Sequence, residues 1–169
     1  MNNLVIVGTG QSAAQCVITL RKNGFKDHIT LVGEEKHLPY QRPPLSKEYL
    51  SGKVSLERVY MKTQDFFDQN DVAILSSTKV ISIDRTNKSL GLSNGESLTY
   101  EKLVLATGSR VRKLNVTGSN LSNISYLRTI EEANKLREYF KSGKKLVIIG
   151  AGYIGLEVAA TAIKKDLSV

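Results

Sequence analysis

Two short glycine-containing segments have the residue types and spacing to bind a phosphorylated ligand. Gly8-Thr9-Gly10-Gln11-Ser12-Ala13 follows the apolar run Leu4-Val5-Ile6-Val7, and Gly150-Ala151-Gly152-Tyr153-Ile154-Gly155 follows the run from Lys145 to Ile149. In a strand–turn–helix with this G-x-G-x-x-G/A spacing, the glycines let the backbone approach a pyrophosphate. The N–H groups that open the helix then meet its charge. Ala13 takes the third position of the first turn, where a small residue still allows helix and strand to pack. An acid about 20 residues further on, at the end of the next strand, would bond ribose hydroxyls. Glu34, just after Leu31-Val32-Gly33, stands there. The second turn has Gly150, Gly152 and Gly155, but its matching acid would fall beyond Val169, so the sequence does not separate NADH from NADPH. Two dinucleotide turns imply two dinucleotides, and hydride transfer between a nicotinamide and a flavin is the economical reason to bind both. The plain alternatives are an ordinary tight turn in an α/β protein and a duplication with one dead site.

Other reactive side chains are few. Glu157 lies in the apolar run Ile154 to Ala160, where a carboxylate without a partner is costly. Cys16 is the single cysteine, which rules out an internal disulfide and a two-cysteine redox centre; among apolar helix residues it reads as packing. His28 and His37 have no neighbours at ligand spacing, so no metal is expected. The formal charge is +8, from 24 Lys and Arg against 16 Asp and Glu, which favours acidic partners. The basic residues are scattered and lack the aromatic interleaving of single-strand binders, so nucleic acid is not expected. No apolar run approaches the ~18 residues of a membrane span. The amino terminus shows no secretory signal, and a cytoplasmic protein is the expectation.

The elements that must position these residues follow from periodicity. Leu4–Val7, a helix from about Ser12 to Asn23 stopped by Gly24, and Ile29–Val32 make a βαβ unit. Pro39, Pro43 and Pro44 stiffen the loop from His37 to Pro44. Leu45–Leu50 reads as a short helix, and Asp65-Phe66-Phe67 begins or flanks another. Val72–Leu75, Val80–Ile83 and Ser89–Leu92 read as a small antiparallel meander ending at Tyr100, followed by a buried strand at Leu103–Leu105. Thr129 and Glu132 form a capping box for a helix running to Phe140. Lys145–Ile149, a helix at Leu156–Lys164, and Leu167–Val169 open a second βαβ unit, which the chain is expected to leave half finished.

Three stretches together resemble a known family. They are Leu38-Pro39-Tyr40-Gln41-Arg42-Pro43-Pro44-Leu45-Ser46-Lys47, then Leu103-Val104-Leu105-Ala106-Thr107-Gly108, and Gly150-Ala151-Gly152-Tyr153-Ile154-Gly155-Leu156-Glu157. The chain resembles, along its whole length, the FAD-dependent ferredoxin reductases among the pyridine nucleotide oxidoreductases. The resemblance implies that Gly8, Gly10 and Ser12, with Ala13, line the FAD pyrophosphate and that Glu34 meets the adenosine ribose. It places Arg42 by the FAD phosphates and the backbone of Val80 by the adenine. Ala106, Thr107 and Gly108 match a second FAD contact, and Arg128 a further one. Gly150, Gly152, Ile154 and Gly155 belong to the NAD(P)H turn. Lys47 and Glu157 would pair beside the flavin ring, where a lysine can stabilise developing negative charge. The plain alternative leaves Lys47 in water and Glu157 at a helix edge. Members with a cysteine pair after the first βαβ unit differ here, because this chain has Pro-Pro-Leu-Ser-Lys in that segment.

The expected architecture is α/β: a three-layer Rossmann-like FAD-binding domain over residues 1–110, with a parallel sheet and a small antiparallel meander. The start of a second, NAD(P)-binding Rossmann-like domain follows over 111–169. The expected activity passes electrons from NAD(P)H through FAD to a small acidic iron–sulfur ferredoxin or a rubredoxin, in a P450 or dioxygenase system. Alternatives are an NADH oxidase, a nitrite-reductase-type flavoprotein, or an inactive flavin-binding fragment. Taken alone, the chain is expected to hold FAD weakly and to turn over poorly. The sequence sets no oligomeric state.

Overall fold

Alternation along the first strand decides how the first unit is layered. In the computed structural model, which describes residues 3–169, β1 (Asn3–Val7) sends Leu4 and Ile6 to one face of a sheet and Val5 and Val7 to the other. On the first face lies α1 (Gln11–Lys22), where Ala13 and Val17 meet Ile6 and Leu31. This helix ends at Asn23 in a Schellman arrangement. Gly24, at φ +82°, donates to the Arg21 carbonyl at 3.1 Å, and Phe25 donates to the Leu20 carbonyl at 3.0 Å. The chain returns as β2 (His28–Val32), in register with β1 from Asn3↔His28 to Val7↔Val32.

After the proline segment, α2 (Gln64–Gln69) brings Phe67 into the same core and leads into β3 (Val72–Leu75). Three strands then form an antiparallel meander: β4 (Val80–Asp84), β5 (Ser89–Leu92) and β6 (Ser97–Thr99). Leu90 and Leu92 of β5 pack on Val5, Val7 and Val32, which covers the second face of the sheet. The last strand, β7 (Lys102–Leu105), lies parallel to β1, giving the order β3-β2-β1-β7. Helix, sheet and meander are the three layers. Ile6, Ile29, Leu31 and Phe67 are fully buried, each worth about 1.5–3 kcal/mol relative to an exposed side chain.

One strand departs from the sequence expectation. Val72–Leu75 joins the parallel sheet beside β2, from Ile29↔Val72 to Val32↔Leu75, and the meander is built from β4, β5 and β6. A four-residue apolar run carries no information about strand direction. Its direction comes from α2, a crossover that buries Phe67 before the chain re-enters the sheet.

The chain divides into two compact units. One runs to Gln41 and resumes over Tyr60–Ser109; the other joins Arg42–Val59 to Arg110–Val169. In the second unit, Pro43–Ser46 is a 3-10 helix that continues as turns, where a helix over Leu45–Leu50 was expected. Lys47, at φ −124° and ψ −111°, leaves helical geometry and interrupts it. Next comes α3 (Ile130–Tyr139), whose capping box is complete: the Glu132 amide donates to Thr129 Oγ1 at 3.3 Å, and the Thr129 amide donates to Glu132 Oε2 at 3.1 Å. The last helix, α4 (Tyr153–Ile163), packs Val158 against Leu50 and Leu136. The expected strand at Lys145–Ile149 is reduced to one parallel bridge, Lys145↔Ser168, and the expected strand at Leu167–Val169 shares it. A strand needs a repeating ladder of bonds, and here the partners come from the backbone around Ser168: Leu146 donates to its carbonyl at 2.7 Å, and its amide donates to the Lys144 carbonyl at 2.9 Å.

Candidate functional site

The first glycine turn sits at the carboxyl ends of β1 and β7. Gly8 has φ +122°, and a Cβ there would lie 2.2 Å from the Ala106 carbonyl oxygen, so its glycine is dictated by the protein's own backbone. The Gly8 amide donates to Val32 at 2.7 Å, and the Ala106 amide donates to Val7 at 2.8 Å. Gly10 is different. It is the N-cap of α1, and a Cβ there would meet nothing within 4 Å. No side chain caps the helix, and Gln11 and Ser12 are exposed. The turn therefore offers backbone N–H groups and the positive end of the helix dipole to open space, which suits an anion. Ala13, fully buried, is the small residue that lets α1 lie close to the sheet.

Glu34 is exposed at the same end of the sheet, two residues past β2, with its carboxylate 3.8 Å from the Lys79 ammonium. Gly33 before it is a glycine that packing requires and that sequence reasoning missed. A Cβ on Gly33 would lie 2.2 Å from Thr9 Oγ1, so the buried middle residue of the turn is keyed into the end of β2. The available signal was a glycine directly after a strand and before the acid. Gly33 also accepts from the Thr78 amide at 2.9 Å, which brings the start of β4, and Val80, to this end. Thr107 and Gly108, the latter at φ +70°, are exposed beyond β7. Cys16, on α1, is half-buried and its thiol is pushed up by burial, away from the reactive thiolate.

The second unit brings together four of its sequence-predicted residues in two pairs. Arg42 Nη1 donates to the Arg128 carbonyl at 2.6 Å. Lys47 Nζ lies 2.8 Å from Glu157 Oε1, with side chains 40% and 29% exposed. The hydrogen bond from Lys47, and then one from Ser46, hold the Glu157 carboxyl below the usual carboxylate range. Ser46 and Thr161, both buried, were not singled out by sequence: Ser46 Oγ donates to Glu157 Oε2 at 2.5 Å and Thr161 Oγ1 to the Ser46 carbonyl at 3.0 Å. In the second turn, Gly150 at φ +110° and Gly152, the N-cap of α4, both face space that a Cβ would not fill. A Cβ on Gly155 would lie 2.8 Å from the Gly150 carbonyl oxygen, the close helix–turn packing expected of a third glycine. Ile154 is largely exposed beside it.

The two turns therefore share a design: a positive-φ glycine ending a chain run, an open N-cap glycine and a tightly packed small third residue. The profile of the pyridine nucleotide-disulphide oxidoreductases matches residues 2–169. The chain belongs to this family. Among its relatives, putidaredoxin reductase from Pseudomonas putida is 43% identical over 171 residues, which take in 99% of this chain and 40% of that protein. Rhodocoxin reductase from Rhodococcus erythropolis is 44% identical, over 99% of this chain and 39% of its own length. Rubredoxin-NAD(+) reductase from Pseudomonas putida is 40% identical, over 95% of this chain and 42% of its own. A crystal structure of the covalent putidaredoxin reductase–putidaredoxin complex superimposes with a TM-score of 0.94 at 43% identity, covering 98% of this chain and 40% of that one. This family member thus spans about two fifths of the length of the curated relatives it matches. Among its described residues, no helix is long and apolar enough to cross a membrane, and no group of three or more His, Cys, Asp or Glu is placed to hold a metal ion.

Proposed function

We propose that the protein is an FAD-dependent NAD(P)H oxidoreductase that passes electrons to a small acidic iron–sulfur ferredoxin or to a rubredoxin, in the cytoplasm. The observation that carries this reading is the repeated turn: Gly10 and Gly152 each open an uncapped helix onto free space, one in each unit. The names of the relatives, which include reductases of putidaredoxin, rhodocoxin and rubredoxin, supply the reaction class. We assign residues 1–110 to the flavin-binding domain and 111–169 to the opening of the nicotinamide-nucleotide domain.

The open turn at the start of α1 supports FAD binding. Gly8, Gly10, Ser12 and Ala13 would hold its pyrophosphate through the start of α1, and Glu34 its ribose hydroxyls. The family resemblance adds Val80, Ala106, Thr107, Gly108, Arg42 and Arg128 as proposed FAD contacts. Gly150, Gly152, Ile154 and Gly155 would hold NAD(P)H. When bound, FAD supplies the step from two-electron to one-electron chemistry. Lys47, its ammonium 2.8 Å from Glu157, would stabilise negative charge developing on the flavin. A formal charge of +8 favours an acidic electron acceptor.

The test is anaerobic titration of the FAD-loaded protein with NADH and NADPH, followed by flavin absorbance. Slow bleaching, in keeping with a chain expected to turn over poorly, followed by re-oxidation on adding a ferredoxin or rubredoxin is the expected outcome. A flavin that stays oxidised under excess reduced nucleotide sinks the proposal.

A further inference from the structure

Ser46 is held at both ends by α4. Its hydroxyl donates to Glu157 Oε2 at 2.5 Å, and its carbonyl accepts from Thr161 Oγ1 at 3.0 Å. Glu157 and Thr161 are four residues apart on α4, stacked on one helix face. Ser46 is 4% exposed and Thr161 7%, so neither hydroxyl nor carbonyl has water as a ready substitute partner. Lys47 is the next residue along, and its ammonium takes the other carboxylate oxygen of Glu157. Lys47 closes the 3-10 turn at φ −124° and ψ −111°, and its amide donates back to the Pro44 carbonyl at 3.0 Å. The Lys47 carbonyl accepts from the Ser51 amide at 2.9 Å, its ammonium also donates to the Pro43 carbonyl at 3.3 Å, and the anchored Ser46 stands one residue before it.

We propose that Ser46 and Thr161 are positioning residues for the Lys47–Glu157 pair. Thr161 pins the main chain of the 3-10 turn to α4. Ser46 occupies one carboxylate oxygen, so that Glu157 turns the other towards Lys47. The four side chains form one unit: two adjacent residues of the turn grip two residues one helical turn apart. Two charged residues of α3 are engaged elsewhere. On α3, Arg137 lies over the Tyr49 ring at 5.3 Å, and Glu132 caps its own helix through the Arg128 and Thr129 amides. On α4 itself, Tyr153, one turn before Glu157, is 88% exposed. The role of the clamp in catalysis rests on the reading of Lys47 and Glu157 as part of the flavin site, but its geometry does not.

The experiment is carbon-detected NMR of the Glu157 carboxylate in the full chain, titrated through the acid range without flavin. Thr161→Val keeps the shape and removes the donor, and Ser46→Ala removes the hydroxyl. Each is expected to move the Glu157 titration midpoint up towards the ordinary glutamate value. Thr161→Ser, which keeps a hydroxyl, is expected to restore the unmodified midpoint, a rescue that a purely packing role for Thr161 does not predict. An unshifted midpoint in Thr161→Val or in Ser46→Ala overturns the proposal. Should Thr161→Val fail to fold, the unmodified chain still decides: a slowly exchanging Thr161 hydroxyl proton close to Ser46 supports the clamp, and a freely exchanging one overturns it. NADH bleaching of added FAD, read on the same samples, separates the two ideas. A wild-type chain that does not bleach sinks the flavin reading alone, and a bleaching chain with an unshifted Thr161→Val midpoint sinks the clamp alone.

Discussion

A Cβ on Gly8 would stand 2.2 Å from the carbonyl oxygen of Ala106 and 2.7 Å from its carbonyl carbon, whereas one on Gly10 would touch nothing within 4 Å. The two glycines of a single turn thus answer to different partners: the first to the protein's own backbone, the second to whatever approaches α1.

Substitution separates them. In Gly8→Ala, the strain at φ +122° adds to a collision with rigid backbone, and the loss of stability should be at least about 2 kcal/mol. Gly10→Ala has an ordinary φ of −86° and free space, so its stability should stay within about 1 kcal/mol of the parent. Its FAD affinity should nevertheless fall about tenfold or more, a change of about 1.4 kcal/mol. Urea unfolding and flavin retention after desalting check both. A Gly10→Ala chain that holds FAD as well as the parent would remove that glycine from the pyrophosphate site.

Phe67 links α2 to the sheet, fully buried and edge-on to Phe66 at 5.5 Å. Phe67→Ala should lower stability by about 3–5 kcal/mol. Because β3 is an outer strand of the parallel sheet, the loss should appear first as faster amide exchange along β3 and its partner β2, with β5 and β6 affected only through global unfolding. Equal early exchange in the meander would contradict that order of coupling.

The capping box gives a local test in the second unit. Thr129→Ala removes the acceptor for the Glu132 amide and should cost about 1 kcal/mol. The Glu132 amide should then lose protection ahead of the amides near Phe140. No change in either measurement would mean that tertiary packing of Ile130, Ala133 and Leu136 alone holds α3.

How much of this could be read from the sequence depends on the range of the interaction. The turn of Gly8-Thr9-Gly10, the Schellman stop at Gly24 and the Thr129–Glu132 box are local, and each is written within a few residues. Strand direction is not local: Val72–Leu75 looks like any short apolar run, and only the packing of Phe67 commits it to the parallel sheet. Val147 and Ile149 show the reverse effect, apolar residues that read as a strand but remain 85% and 73% exposed without a ladder. Glu157 announced its need for a partner by standing in an apolar helix. The bond from Thr161 to the Ser46 carbonyl, 115 positions away, left no such trace, because a buried threonine in a helix is unremarkable by type.

Acid should release the Glu157 contacts in a defined direction. Hydrogen bonds from Lys47 and Ser46 lower the folded-state pKa of this carboxyl. The ionised group therefore contributes stability that is fully present above its unfolded value of about 4.3 and is lost as pH falls through the depressed folded value. Both side chains of the ion pair are partly exposed, so the effect should be modest and should weaken with salt. Glu157→Gln cannot titrate. The stability advantage of the parent over Glu157→Gln should be constant from neutral pH down to about 5 and should shrink steadily below that. Paired urea unfolding curves across this range measure it. A constant difference extending to the most acid pH at which both chains fold would mean that Glu157 titrates in the folded protein as it does in the unfolded one, and that Lys47 and Ser46 hold its position without holding its charge.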